Sequence, residues 1–185
     1  EANDYLAMSL LAETEYKDGN YDKSLAYARS LQKAQPQLYI GYMHEGNVWM
    51  AKQNYSRARS AFSKAWRYQQ TADLAKRLFT ASKHTANFED AIKPILTWLN
   101  DNPNDKSLRF FLATQYQDVK QNDNAIREYE IVIADAPDNS VVLNNLAWLY
   151  HLKGDPKALD MAERAYRTSP KNAGIQDTYG WILTQ

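Results

Sequence analysis

Apolar and polar positions along the chain follow a helical periodicity that short polar turns interrupt at regular intervals. Apolar residues recur three and four positions apart in segments of roughly 13–15 residues, as expected for amphipathic helices. The turns are rich in Gly, Asn and Asp, as in Asp18-Gly19-Asn20, Gln121-Asn122-Asp123 and Gly154-Asp155. Period-two alternation is not sustained, and the apolar run Ile131-Val132-Ile133 lies within a helical register. The pattern predicts an all-α protein of about eleven helices.

Internal repetition divides the chain into units of 33 or 34 residues. Three markers share this period: a proline that ends each unit, an aromatic residue in its central turn and a small residue three positions later. The prolines are Pro36, Pro103, Pro137 and Pro170, with Gln70 at the position of the missing one. The aromatic and small residues are Tyr21, Tyr55, Phe88, Ser24, Ala58, Ala91, Ala125 and Ala158. One helix pair cannot bury its apolar face alone, so the repetition predicts stacked pairs.

The spacing and residue types resemble the tetratricopeptide repeat, a helix–turn–helix unit of about 34 residues. The second repeat matches its pattern best, with Tyr42, Gly46, Trp49, Tyr55, Ala58, Phe62 and Ala65. The resemblance implies a right-handed α-solenoid of antiparallel helix pairs. It implies one array made of repeat 1 at 5–37, repeat 2 at 38–70, repeat 3 at 71–104, repeat 4 at 105–138, repeat 5 at 139–171 and the first helix of a truncated repeat 6 at 172–185.

The third repeat departs most from this pattern. Phe79 replaces a small residue, and Pro94 lies inside the second helix, where it removes a backbone donor and crowds the preceding turn. We therefore expect a kink or a weakened helix there. Elsewhere small residues should let helix backbones approach closely, and these are Ala12, Gly46, Ala113, Ala147 and Gly180.

Charge and chemistry narrow the possible functions. The 22 basic and 22 acidic side chains give no net charge, which argues against nucleic-acid binding and against adsorption to an anionic membrane. No apolar stretch approaches the length of about eighteen residues that a membrane span needs. The chain has no Cys, no Gly-rich phosphate loop and no catalytic constellation. We expect no enzyme, cofactor or metal site, with the histidines His44, His84 and His151 at the surface or in a groove.

In the tetratricopeptide family the first helix of each repeat lines a concave groove. The resemblance therefore implies a protein or peptide partner in this groove. The family's groove positions fall on Met43, Asn47, Met50, Lys76, Thr80, Lys83, Phe110, Thr114, Gln117, Asn144, Trp148 and His151.

Two interpretations of the large apolar groove residues stay open. Met43, Met50, Phe110, Trp148 and Trp181 either pack between helices or form an apolar stripe that contacts a partner.

Some family members grip a C-terminal carboxylate with Lys, Asn and Arg at fixed groove positions. Asn47 and Asn145 have a suitable register here, and Lys76 and Arg77 lie nearby, but the full set is never present in two adjacent repeats.

The last repeats are similar to those of bacterial envelope tetratricopeptide lipoproteins that accompany exopolysaccharide and PEP-CTERM sorting systems. The similar segments are 144–150, 154–159 and 177–183, the last beginning Asp177-Thr178-Tyr179-Gly180-Trp181. The similarity implies a scaffold in the periplasm or at the outer membrane. The alternative is a cytoplasmic adaptor or co-chaperone that binds a peptide tail.

The chain begins without Met and stops within an apolar helical pattern, so we interpret it as a fragment. In that case the last helix should expose Tyr179, Ile182 and Leu183, and self-association through it is possible.

Overall fold

A computed structural model describes the backbone of residues 2–185 and the side chains of residues 5–185. These residues form twelve helices and no strand, which confirms the all-α helical repeat fold. The expected number of about eleven becomes twelve because one predicted helix is divided. The helices are α1 (Ala2–Lys17), α2 (Tyr21–Ala34), α3 (Tyr39–Ala51), α4 (Tyr55–Tyr68), α5 (Ala72–Ser82), α6 (Phe88–Ala91), α7 (Lys93–Asp101), α8 (Lys106–Asp118), α9 (Asn122–Asp135), α10 (Ser140–Leu152), α11 (Lys157–Thr168) and α12 (Ala173–Leu183).

The helices group into two compact units, Glu1–Pro103 and Asn104–Gln185. In the first unit α1 packs on α2, α3 on α4, and α5 on α7. In the second unit α8 packs on α9, α10 on α11, and α12 on both α10 and α11. Each of these pairs buries an apolar face that a single helix could not bury.

Side-chain caps begin the first helices of repeats 3 to 6, which are α5, α8, α10 and α12. Thr71, Asp105, Asn139 and Asn172 each accept a hydrogen bond from the backbone N–H three residues later, at 3.1, 2.9, 3.2 and 3.2 Å. Each bond satisfies an amide that has no partner within the helix. Since these caps stand 34, 34 and 33 residues apart, they are a fourth marker of the repeat.

Residues with a left-handed backbone mark the turn inside a repeat. Gly19, Gln53, Lys120 and Gly154 have φ of 79°, 56°, 61° and 67°. This conformation ends a helix and turns the chain back into its partner. The described part of the third repeat has no counterpart among them, so its turn follows a different course.

The third repeat is irregular as predicted. Its second helix is divided at Ile92, which ends α6 and precedes α7, and Pro94 lies in the first turn of α7. Proline suits a helix start, where its missing N–H would have no partner, but not a helix interior. The expectation of a break at Pro94 is confirmed.

Close helix packing in the first unit depends on Gly46. A Cβ atom at this position would lie 2.4 Å from a ring carbon of Phe62, whose side chain is fully buried. Ala12, Ala113 and Ala147 are likewise fully buried, as expected. The same expectation is wrong for Gly180, because no described atom lies within 4 Å of its Cβ position.

The last helix is better packed than the sequence suggests. Ile182 is buried, and the Tyr179 ring stacks on Tyr166 with centroids 5.2 Å apart. Of the three residues expected to be exposed, only Leu183 clearly is, at 55%. Trp181 is exposed beside it.

His44 is buried, so the expectation that it lies at the surface or in a groove is wrong. Its Nε2 atom lies 2.9 Å from the Ser9 hydroxyl oxygen. Burial lowers the pKa of His44 below its ordinary value of 6.5, and Arg77 adds to this effect while Glu13 opposes it.

We expect the first unit to lose stability as the pH falls below about 6.5, because the unfolded chain then binds a proton that folded His44 resists. Thermal unfolding followed by circular dichroism between about pH 7.5 and 5.5 measures this. A His44→Gln variant should show a weaker pH dependence, while His84→Gln, at an exposed position, should retain that of the wild type. Equal dependence in all three proteins would contradict the assignment.

Candidate functional site

The first unit contains a cavity of about 240 Å³ between its helices. Residues of α1, α3, α4 and α5 line it, so three first helices of successive repeats meet there. Its apolar surface comes from aromatic rings and a thioether. The lining residues are Tyr16, Asn47, Met50, Phe62, Lys76, Arg77 and Thr80.

The polar groups of this cavity are mainly hydrogen-bond donors. Arg77 donates from Nη1 to the Asn47 Oδ1 atom at 2.8 Å and from Nε to an Asp73 carboxylate oxygen at 2.7 Å. These two contacts fix the guanidinium and leave the Asn47 amide hydrogens available. The Thr80 hydroxyl donates to the Lys76 carbonyl oxygen at 2.8 Å. The cavity therefore combines an apolar wall with cationic and amide donors, which suits a carbonyl or carboxylate group next to an apolar side chain.

Four of the six predicted groove residues in this unit line the cavity: Asn47, Met50, Lys76 and Thr80. Met43 instead packs against the buried cluster around Phe62. Lys83 is the exposed residue that follows α5 and does not line the cavity.

Tyr16 and Phe62 line the cavity but are not among the predicted groove positions. Tyr16 could have been found, since it lies one period of 34 residues before Met50. Phe62 could not have been found in this way, because it belongs to a second helix and the groove positions lie only on first helices.

The second unit presents an exposed aromatic cluster made of Trp148, His151 and Trp181. The Trp181 indole N–H donates to the His151 Nε2 atom at 3.1 Å, and the Trp148 and His151 rings lie 5.7 Å apart. Trp148 and Trp181 are 37% and 53% exposed. Both side chains lie at the surface, and Trp181 of α12 also contacts His151 of α10, so both interpretations stay open.

The remaining predicted residues of the second unit contact its interior. Phe110 packs edge-on against the buried Tyr129 ring at 5.7 Å, and Gln117 accepts a hydrogen bond from the Tyr129 hydroxyl at 3.2 Å. Thr114 donates to the carbonyl oxygen of its own helix at Phe111. Asn144 Oδ1 is buried and has no hydrogen-bond partner among the described residues.

The carboxylate-gripping residues are only partly brought together. Asn47, Lys76 and Arg77 line one cavity. Asn145 instead donates to the Tyr129 hydroxyl at 2.9 Å. Burial raises the pKa of Tyr129 to about 12, so this hydroxyl keeps its proton. Asn145 therefore links α10 to α9.

Two negative findings apply to the described residues. No group of three or more His, Asp or Glu side chains is placed to hold a metal ion. None of the described helices is both long and apolar enough to cross a lipid bilayer.

Comparisons with known proteins agree with this architecture. Residues 9–73 match the tetratricopeptide repeat family model. Among solved structures, YrrB, described as a TPR protein with an unusual peptide-binding site, is 22% identical, with a TM-score of 0.70 over 90% of this chain and 87% of that chain. A MamA structure is 17% identical, with a TM-score of 0.74 over 94% of this chain and 96% of that chain. No curated protein matched the chain. Residues 9–73 are thus a tetratricopeptide repeat segment, and the chain has the all-α helical repeat fold of tetratricopeptide proteins.

Proposed function

We propose that this chain is a non-enzymatic scaffold that binds a protein or peptide partner through the first helices of its repeats. The cavity lined by Asn47, Met50, Lys76 and Thr80 carries this proposal. It offers an apolar wall for one side chain and donors for a backbone carbonyl or a carboxylate, which is the combination that an extended peptide needs. YrrB, whose fold this chain shares, is described as having a peptide-binding site.

The aromatic cluster of the second unit supports the same function. Exposed tryptophans are frequent anchors of protein interfaces, and Trp148 lies one helical turn from the unpartnered acceptor of Asn144. A partner that covers this surface would bury the exposed Trp148 indole ring.

Filling the cavity is the direct test. We expect Thr80→Lys to weaken binding at least tenfold, or by about 1.4 kcal/mol. The reason is that a long side chain from α5 occupies the space that a ligand would take. Peptides selected from a random display library on the wild-type protein serve as ligands, and fluorescence anisotropy gives their affinities.

Lys83→Ala is the matched control, since Lys83 follows the same helix but lies outside the cavity. It should bind the selected peptides like the wild type. If Thr80→Lys also does so while retaining its helical content, the cavity is not the binding site.

A more specific proposal is a scaffold of a bacterial envelope assembly, in exopolysaccharide export or PEP-CTERM protein sorting. Its support is the similarity of segments 144–150 and 177–183 to envelope lipoproteins. A periplasmic or outer-membrane location follows from it, and a cytoplasmic adaptor is the alternative. Fractionation of cells that express the full-length protein separates the two: recovery with the envelope supports the first, and recovery only with the cytosol supports the second.

Self-association is a second candidate, favoured by the exposed Trp181 and Leu183 of α12. Sedimentation velocity of the wild type and of a Trp181→Lys variant tests it. A dimer that Trp181→Lys dissociates supports this interface, whereas a monomeric wild type excludes it.

A further inference from the structure

Although the chain has no net charge, one of its segments is strongly basic. Eight Lys and Arg side chains and a single acidic residue, Asp73, lie between Lys52 and Lys83. Helix α4 alone carries four basic residues and no acidic one, namely Arg57, Arg59, Lys64 and Arg67. A local excess of positive charge attracts anionic partners and speeds their association.

Part of this charge lines a second cavity, which we call the α2–α4 groove. It has a volume of about 200 Å³ and is lined by Arg29 of α2, Glu45 and Trp49 of α3, and Arg57, Ser60 and Lys64 of α4. It lies on a different face of α3 from the cavity described above. Glu45 and Trp49 are one helical turn apart, whereas Asn47 and Met50 point to the opposite side of a helix with 3.6 residues per turn.

The single carboxylate of the groove is already satisfied. Glu45 accepts hydrogen bonds from Gln32 Nε2 at 2.8 Å and from the Trp49 indole N–H at 3.2 Å, and it lies 3.7 Å from the Arg29 guanidinium. Its side chain is only 16% exposed, so it forms part of the floor. Its single negative charge can neutralise at most one cation. The positive charges of Arg57 and Lys64 therefore remain in excess in the groove.

Arg57 is positioned to receive an anion. Its guanidinium lies over the Trp49 ring, 4.6 Å from the ring centroid. Stacking on an aromatic face holds the guanidinium plane and leaves its in-plane N–H groups free to donate to a carboxylate. Lys64 lies seven residues further along the same face, or about 10 Å away at 1.5 Å per residue. Among the described residues, neither side chain has an acidic partner.

We infer that the α2–α4 groove binds an acidic peptide segment of a partner protein, with carboxylates on Arg57 and Lys64. Carboxylates three residues apart on an extended polyproline-like chain are separated by about 9 Å, which matches the spacing of the two cations. A peptide also brings backbone N–H groups past the Glu45 carboxylate. A polynucleotide would instead place a phosphate at every step beside that carboxylate.

We do not expect a second copy of this chain to provide the acidic segment. Its most acidic helix is α9, and each carboxylate there already has a basic or hydroxyl partner within the second unit. The ion pairs are Asp123 with Lys153, Glu128 with Arg109, Glu130 with Lys157 and Asp135 with Lys106.

The experiment uses fluorescent dodecapeptides with either Glu or Gln at every third position. We expect the wild-type protein to bind the Glu peptide at least tenfold more tightly than the Gln peptide, with an affinity that falls as salt rises. The double variant Arg57→Gln/Lys64→Gln should lose this preference. Lys120→Gln/Lys171→Gln removes the same charge at exposed sites of the second unit and should keep it.

Two further arms make the result decisive. Thr80→Lys should bind the Glu peptide normally, because the cavity at Thr80 is a separate site; a loss there would assign the peptide to that cavity and overturn the inference. An oligothymidylate of the same length should bind more weakly than the Glu peptide. Tighter oligothymidylate binding that Arg57→Gln/Lys64→Gln abolishes would make the groove a nucleic-acid site. Unchanged peptide binding by this double variant would also overturn the inference.

Discussion

Replacing Gly46 with alanine should lower the free energy of unfolding of the first unit by about 2 kcal/mol, because overpacking of a core typically costs 1–3 kcal/mol. The added methyl group would lie 2.4 Å from the Phe62 ring, far inside van der Waals contact. Phe62 is fully buried and surrounded by Ala58, Ala65 and Leu74, so the ring has little room to move. The clash outweighs the gain of about 1 kcal/mol that alanine brings to a helix interior relative to glycine.

Gly180→Ala is the matched control. It places the same methyl group in the interior of α12, where no described atom lies within 4 Å. The substitution should leave stability unchanged or raise it by up to about 1 kcal/mol through helix propensity. Urea titrations followed by circular dichroism measure both variants, and amide hydrogen exchange in α3 and α4 assigns the loss to the first unit. Equal stability of Gly46→Ala and the wild type would refute close packing at Gly46.

Replacing Glu128 with glutamine should cost the second unit about 2 kcal/mol, because hydrogen bonds to charged groups contribute about 1.5–3 kcal/mol. Glu128 and Arg109 form an ion pair at 2.6 Å, and their side chains are only 15% and 14% exposed. Glutamine keeps the shape of the side chain but removes its charge. Arg109 then loses the charge of the Glu128 carboxylate while it remains largely out of water.

Glu163→Gln is the control for this pair. Glu163 pairs with Arg167 on the surface of α11, where the side chains are 41% and 73% exposed. Solvent screens such a pair, so its loss should fall within the error of measurement. Similar unfolding midpoints for the two variants in urea would show that the Arg109–Glu128 pair contributes no more than a surface contact.

The sequence contained most of the information about the fold. The period of 33–34 residues and the helical pattern predicted the helix pairs, and Pro94 predicted the break between α6 and α7. These succeed because proline and glycine act on the backbone locally. The caps also recur with this period, at Thr71, Asp105, Asn139 and Asn172. Because three residue types serve as the cap, residue identity alone does not reveal the repetition.

The candidate site was harder to predict. The position of a residue within its repeat predicts the helix face on which it lies, but not how deeply its side chain is buried. Met43 and Asn47 share a groove register, yet Met43 packs against the buried cluster around Phe62 while Asn47 lines the cavity. His44 is expected at the surface or in a groove but is buried, because its position in the sequence does not reveal its depth. The net charge of zero did not reveal that α4 is basic, because the acidic residues that balance its charge lie elsewhere in the chain.

The break at Pro94 has a consequence for how the first unit opens. Helix α6 has only four residues, and α7 is held mainly by Ile95 and Leu99, which are buried. The tightly packed cluster from Ala58 to Ala81 does not include either of them. We therefore expect the segment from Phe88 to Asp101 to open before that cluster does, although opening also uncovers the buried Ala91 and Ile92. Since none of the residues that line the cavity belongs to this segment, we expect proteolysis within it to leave the cavity lining in place.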